Sequence, residues 1–553
     1  MFLKLLPGWP LPVIAIALPL FSAFLLGCAI LLEMAYTAHT SGPFERKKVY
    51  LKVPFLFFLF LNFALNYLVW SYSHNLEQTF FTLGAAGWAE TLSGAGGGSW
   101  KAFLRLDPLG AMAALLTSFI VLLAGLRSLA DKSDPITPNK IFFMLLTQGG
   151  VVGIFYSGGI TNLFLFLLIS QIGATGLYRP VRAAGLKTLN FFSQSAWYYA
   201  SRVLVMGMYL AGTLLLLSKY KVSGFTQLHA VMQPGVLELS AYVLMASSLF
   251  FLFIKPSSYI TDASKRCYFA MRGYAMFFAL LRVNFLLFGP MRGLDRIPWL
   301  YILFGGAALW AAFALTTTNR DPIRFTESVE LFLKGFITIS FGLSLNGTGS
   351  AAAAAEYGLG ALESMLSLWM LFLPISAALS IIGCLLKQKY AGSELWTLGG
   401  LSHKLPFTGF VFFIVICGLA GLPPFPGFIS RQFLYRAANA VSPFLTLFLF
   451  AMSLAVLFIG IWYISGVLFG KAPDAEEKIQ GDAQIALPLF LILIFLLFSS
   501  AAPNHYYDNA VSKSVSSLMR ISYAAQDEQS QELPDPDDSQ DVPDVEPIPG
   551  ESE

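Results

Sequence analysis

"AGLPPFPGFISRQFL", Ala420 to Leu434, interrupts an otherwise apolar passage of the chain. "FTGFVFFIVICG" precedes it and "VSPFLTLFLFAMSLAVLFIGIW" follows a few residues later. Three prolines and two glycines fall between Gly421 and Gly427, and Arg431 comes about one helical turn on. Proline lacks a backbone donor and clashes with the turn before it, so a helix arriving at Pro423 and Pro424 stops there. In hydrocarbon a freed backbone group is costly unless protein or a water-filled cavity re-satisfies it. A mid-span break flanked by a cation therefore points to a polar interior. The segment 406–440 is too long for one straight span, and Pro423, Pro424 and Gly427 divide it.

The surrounding chain is a membrane protein. Of 553 residues, 56% are hydrophobic and 12% charged, with mean hydropathy +0.66; soluble domains carry about a quarter charged residues. Runs such as "VPFLFFLFLNFALNYLVW" do not alternate polar and apolar positions, which excludes a closed barrel. With roughly 20 apolar residues per crossing, about fourteen spans are expected. They lie near 11–32, 53–72, 107–126, 140–157, 160–178, 195–217, 238–255, 267–288, 298–317, 332–346, 358–386, 406–440, 443–470 and 484–502. The first run, Leu11 to Leu32, is longer than a signal core and reads as a span. The expected fold class is an all-α polytopic membrane protein, in a bacterial inner membrane.

Loop charges give an orientation under the positive-inside rule. Arg46, Lys47, Lys48 and Lys52 follow the first span. Alternate loops continue with Arg127, Lys132 and Lys140; Arg179, Arg182 and Lys187; Lys265 and Arg266; Arg320 and Arg324; Lys387, Lys389 and Lys404; and Lys471 and Lys478. The opposite loops hold chiefly Lys101, Arg105, Lys219, Lys221, Arg292 and Arg296, so both termini are expected outside. "VRAAGLKTLNFFSQS", from Val181, reads as an interfacial segment, and "GAGGGSW", from Gly94, as a flexible outer loop. The tail from Gln526 to Glu553 holds eleven acidic residues and no Lys or Arg, a composition expected to be disordered.

Ion-coupled transporters place helix breaks at matching points of two repeats. A second candidate break is "FLFIKPSSY", where Lys255 precedes Pro256 at the end of the seventh span. Each break thus has a cation beside it, Lys255 or Arg431, and an intramembrane charge is a functional-site hypothesis. Cys28, Cys267, Cys384 and Cys417 lack metal-ligand spacing and read as small core residues. His39, His74, His229, His403 and His505 read as solvated or capping groups. No nucleophile elbow, dinucleotide fingerprint or phosphate loop is present, so no catalytic site, cofactor, metal or nucleic-acid partner is expected.

"LGGLSHKLPFTGFVFFIVICGLAGLPPFPGFISRQFL" (Leu398 to Leu434) resembles the signature of the antiporter-like membrane subunits of respiratory complex I. Relatives of these occur in multisubunit cation/proton antiporters and membrane-bound hydrogenases. "LDPLGAMAALLTSFIVLLAGLRSL" (Leu106 to Leu129) and "VVGIFYSGGITNLFLFLLISQIG" (Val151 to Gly173) agree in order. The resemblance covers roughly residues 100 to 450 and implies two inverted five-helix repeats with helices 7 and 12 broken. It divides the chain into N-terminal helices and an outer loop (1–105), a first repeat (106–290), a second repeat (291–470), a last helix (471–505) and the acidic tail (506–553).

The resemblance also implies an ion path: a glutamate on span five, lysines on seven and eight, Lys or His on eleven, Lys or Glu on twelve. Here the glutamate position falls on Leu168, with Gln171 the nearest polar residue. The lysine of span seven matches Lys255, and that of span eight falls on Tyr274 or Arg272. Span eleven offers only Glu363, and the titratable group of span twelve falls on Arg431. Arginine is effectively always protonated and leucine cannot relay a proton. Two readings follow. One is a subunit of a multisubunit membrane complex that moves protons or monovalent cations along a central polar axis of Lys255, Arg431, Arg272, Gln171 and Glu363. The other is a degenerate, non-conducting scaffold for partner subunits.

Overall fold

The computed structural model describes residues 11–39, 52–73, 79–83, 102–130, 137–178, 188–254, 260, 262–289, 296–319, 321–347, 352–389, 406–425, 427–469 and 483–501, with 511 and 515. Helices α1 (Leu11–His39) and α2 (Lys52–Ser73) precede an antiparallel ribbon of β1 (Thr79–Leu83) and β2 (Ala102–Leu106). There follow α3 (Pro108–Ala130), α4 (Pro138–Tyr156), α5 (Ile160–Leu177), α6 (Thr188–Tyr220), the short α7 (Phe225–Val231) and α8 (Val236–Ile254). Helix α9 (Ala263–Arg282) continues as a π-helical turn, Val283–Phe288. The second half comprises α10 (Ile297–Thr318), α11 (Pro322–Gly347), α12 (Ala352–Lys389), α13 (Pro406–Ala420), α14 (Gly427–Val441), α15 (Pro443–Phe469) and α16 (Ala483–Ala501).

Among the described residues, 11 helices are long and apolar enough to cross a membrane, and the chain is a multi-pass integral membrane protein. Several helices start by one device, a polar cap followed by proline. Asp107, Thr137 and Asp321 precede Pro108, Pro138 and Pro322, and their side chains accept from Gly110, Lys140 and Ile323 backbone N–H groups at 2.9, 3.2 and 2.9 Å. Proline at the first helical position wastes no hydrogen bond, because that N–H has no partner within the helix. The cap satisfies the next donors.

The spans of α9 and α12 are buried along their whole length, whereas those of α1, α2 and α15 are mostly exposed. The centre of the molecule is therefore α9 packed on α12, although α9 carries Lys265, Arg266, Arg272 and Arg282. Helices α4, α9 and α11 run in one direction. Lys140 at the start of α4 meets Asp262 at the start of α9 (2.8 Å), and Phe155 at the end of α4 meets Arg282 at the end of α9 (2.8 Å). Arg266 near the start of α9 meets Glu327 near the start of α11. Helix α12 runs the other way, its last turn placing Lys387 on Asp321.

The break read from the sequence lies between α13 and α14. Gly421 takes φ +77°, a left-handed conformation that favours glycine. A Cβ on Gly427 would sit 1.9 Å from the Gly418 carbonyl oxygen, so α14 can begin against α13 only through glycine. Lys255 and Pro256 lie outside the described residues, as do the Gly-rich loop and the acidic tail. So do residues 181–187, whereas Thr188–Ser195, read as interfacial, forms the first turns of α6.

The charge tally needs correction. Arg105, Arg127, Lys140 and Arg266, counted as loop cations, are all buried, and Lys219 is drawn in to the buried Glu238 at 2.6 Å. Arg105, Lys140, Arg266 and Lys219 compensate carboxylates within the protein. Cys267, Cys384 and Cys417 are buried core residues, as read.

Candidate functional site

Charged side chains on α9 and α11 form a series that climbs from the ends where these helices begin. At the mouth, Asp262 caps α9 through the Ser264 N–H (2.9 Å) and holds Lys140 at 2.8 Å and Lys265 at 3.7 Å. One turn further, Arg266 Nη1 lies 3.0 Å from Glu327 Oε1. Next along α11, Glu330 Oε1 accepts Lys334 Nζ at 2.9 Å across one helical turn. Residues 327, 330 and 334 share one face of α11 at i, i+3, i+7 spacing. Lys334 lies twelve residues past Pro322, about 18 Å from the helix start at 1.5 Å per residue.

The Lys334 ammonium lies over the rings of Phe253 (5.8 Å) and Phe372 (5.6 Å). Lys334, Glu330 and Arg272 line a common cavity with Phe253, Phe269 and Phe372. Arg272 donates to Gln171 Oε1 on α5 at 3.3 Å and covers the Phe269 ring at 4.7 Å. Above this level the charges stop. Tyr274 stacks on Trp369 at 4.1 Å and 4°. Phe278 also stacks on Trp369, Phe155 meets Tyr274 edge-on, and Phe277 lies tilted to Trp369 with Phe341 edge-on to Phe277. Beyond the rings, Arg282 Nη2 binds Asp107 Oδ1 at 3.0 Å, and Arg105 Nε lies 3.6 Å from Asp107 Oδ2. Burial lowers the Arg105 pKa to about 10, with Asp107 opposing and the Arg282 charge adding to the fall. The guanidinium stays charged at neutral pH.

Of the residues read as site candidates, Gln171 and Arg272 are brought together. Tyr274, the other match for the span-eight lysine, turns to the ring layer. Leu168 packs against the core. Arg431 is buried apart from the series: its Nη2 donates to the Leu419 carbonyl at 2.9 Å, and its guanidinium carbon lies 3.2 Å from the centroid of Phe336. Glu363 is half-buried on α12. Sequence reasoning missed Glu327, Glu330 and Lys334. The span was placed at 332–346, so the two glutamates were assigned to a loop although "ESVELFLKG" spells one charged helical face. It also passed over Arg202, an arginine inside span six. No cluster of three or more His, Cys, Asp or Glu able to hold a metal occurs among the described residues.

No family model matches the sequence. A Na(+)/H(+) antiporter subunit of Bacillus subtilis (strain 168) is 25% identical over 447 residues, which span 77% of this chain and 84% of the relative. An NADH-quinone oxidoreductase subunit of Francisella tularensis subsp. holarctica is 25% identical over 232 residues, 41% of this chain and 44% of that one. The chain is homologous to the antiporter-like membrane subunits. A chain in the structure of the Mrp complex from Dietzia sp. DQ12-45-1b superposes with a TM-score of 0.73 at 17% identity, covering 93% of this chain and 99% of that one. The antiporter-like fold is thus shared almost end to end, while the sequence has diverged widely.

Proposed function

We propose that this chain is the ion-translocating membrane subunit of a multisubunit complex I-like or antiporter-like assembly. It moves protons or monovalent cations along the charged faces of α9 and α11. The observation that carries the reading is the pair of half-buried Glu330 and buried Lys334, 2.9 Å apart, in a cavity shared with Arg272. A carboxylate and an amine in contact can exchange a proton, and burial makes the position of that proton depend on neighbouring charge. Arg266–Glu327 and Asp262 with its lysines continue the series to one end of the helices. Gln171 and Arg272 fix the field on the first-half side, and the Tyr274–Trp369 layer blocks a continuous water column. In this reading Lys255, two residues past the cavity-lining Phe253, joins the path by sequence position alone. Glu363 is assigned no step in it, and Arg431 holds the helix break. Other membrane subunits are the expected partners, as in the multisubunit Mrp complex whose chain shares the fold.

A non-conducting scaffold is the second reading. Leu168 in the core and Arg431 anchored on a ring and a carbonyl favour it, since neither position can trade a proton. Co-purification in mild detergent with subunit identification, then reconstitution and gradient-driven flux, tests both. Glu330→Gln is expected to cut flux about tenfold or more, the scale of losing a positioned proton carrier. Native-rate flux in the assembled variant would overturn the path. An assembled native complex without flux above empty vesicles is the scaffold's outcome.

A further inference from the structure

Helix α14 differs from its neighbours at the outer surface of the bundle. Exposed side chains on α13 and α15 are large and apolar, among them Phe410, Phe413, Phe444, Leu447 and Phe450. On α14 no large apolar side chain is exposed. Its exposed residues are Gln432, Arg436, Asn439 and Ala440. Spacing of i, i+4 and i+7 puts the three polar ones in a single stripe, opposite the buried face that carries Ser430, Arg431 and Leu434. Tyr435, on the flank, donates to Ser453 Oγ of α15 at 2.7 Å and holds α14 against that helix, with the stripe outside the contact. Gln432, Arg436 and Asn439 make no side-chain hydrogen bond or ion pair among the described residues.

Depth decides what can cover the stripe. Helix α14 ends at Val441, which puts Gln432 about 14 Å and Arg436 about 8 Å from that end at 1.5 Å per residue. Half of the hydrocarbon core is about 15 Å, so the stripe runs from the membrane face to near the midplane. Arg436 and Asn439 can reach headgroups by snorkelling. Gln432 cannot, and an amide facing hydrocarbon is costly until it finds a partner. Side-chain hydrogen bonds between helices supply such partners in membranes, and small residues let the helices approach. We infer that the α14 stripe is the docking surface for a transmembrane helix of a partner subunit. That helix presents a carboxylate to Arg436 and a hydrogen-bonding side chain to Gln432, with Ala440 leaving room for its backbone. Charge complementarity selects the carboxylate, which a guanidinium binds by two parallel hydrogen bonds. The surface takes from the proposed function only that the chain sits among other membrane subunits, and it serves a conducting subunit and a scaffold alike.

The test tags the full-length chain in its own cells and extracts the assembly in mild detergent. A photoreactive phenylalanine analogue in place of Asn439 is expected to crosslink to one transmembrane helix of a subunit that co-purifies with the native chain, within a helical turn of an Asp or Glu. Arg436→Glu is expected to cut recovery of that subunit about tenfold or more, because like charges then face each other. Exchanging the partner's carboxylate for Arg in the same cells is expected to restore it. Full recovery of every subunit with Arg436→Glu overturns the surface, as does a crosslink confined to phospholipid or to a second copy of this chain. Should Arg436→Glu not accumulate, Gln432→Leu combined with Arg436→Leu decides, since an apolar face suits lipid. That variant is expected to accumulate and lose the subunit, and retention of the subunit contradicts the docking surface. Subunit composition reads the surface and flux reads the path, so the two fail separately.

Discussion

Lys334 and Arg431 are both buried cations of the second half, and Phe336, under Arg431, is only two residues from Lys334. Their surroundings differ. Lys334 has a carboxylate one turn away, two rings beneath it and a cavity with a second charge across it. Arg431 has a ring face, one backbone carbonyl, and Gly421, whose lack of a Cβ leaves room for its stem. One is built to change partners and the other to stay put. A buried charge in a membrane helix is therefore not yet an ion site; the group beside it decides what the charge can do.

The largest effect that sharpens this contrast is on stability. Lys334→Met strips the half-buried Glu330 of its partner, and a loss of about 2–3 kcal/mol is expected, below the roughly 3–5 kcal/mol of a fully buried pair. Adding Glu330→Gln should recover most of the loss, measured by chemical unfolding in detergent. Gly421→Ala acts on the other cation. It places a side chain at φ +77° with its Cβ 2.5 Å from Arg431 Cγ, and about 1–3 kcal/mol of destabilisation is expected by thermal unfolding. Arg431→Lys keeps the charge but gives up the planar contact with Phe336. A loss of about 1–2 kcal/mol is expected, with flux held within about twofold of native if the residue only latches the break.

The smallest effect lies at the membrane surface, where Asp321 meets Lys387. Burial raises the Asp321 pKa, but the Lys387 hydrogen bond and the Ile323 N–H outweigh it, so the net shift is below 3.8. Its stabilisation is present above the ordinary carboxylate value and is lost as pH falls through the lower folded value. The pair is partly exposed, so under about 1 kcal/mol is at stake. Asp321→Asn should flatten that small acid-side loss in a pH series of unfolding midpoints by lowering the neutral-pH midpoint by the same small amount while leaving the acid midpoint nearly unchanged.

Much of the architecture was legible. Length and hydropathy place the helices, and "GLPPFPG" places the break between α13 and α14 to within a few residues. The site was harder to see. Gln171 was found because it stands near a position where the resemblance expects a polar group. Glu327 and Glu330 were hidden because a hydropathy window ends a span at its first charges, whereas α11 keeps those charges buried by pairing one with Arg266 on another helix. Such tertiary compensation leaves no trace in local hydropathy. The positive-inside tally went astray at Arg105 and Lys140 for the same reason. Arg431 was placed beside the break correctly, but its ring partner, Phe336, is nearly a hundred residues away in sequence.

The central claim is that ions follow the Glu330–Lys334 face and not Arg431. Its most direct measurement is gradient-driven proton flux through vesicles holding the co-purified assembly, compared among native, Lys334→Met and Arg431→Lys. Native and Arg431→Lys should dissipate the gradient at similar rates, and Lys334→Met should match empty vesicles despite normal subunit composition. Native-rate flux in Lys334→Met, with flux lost in Arg431→Lys, would contradict the account.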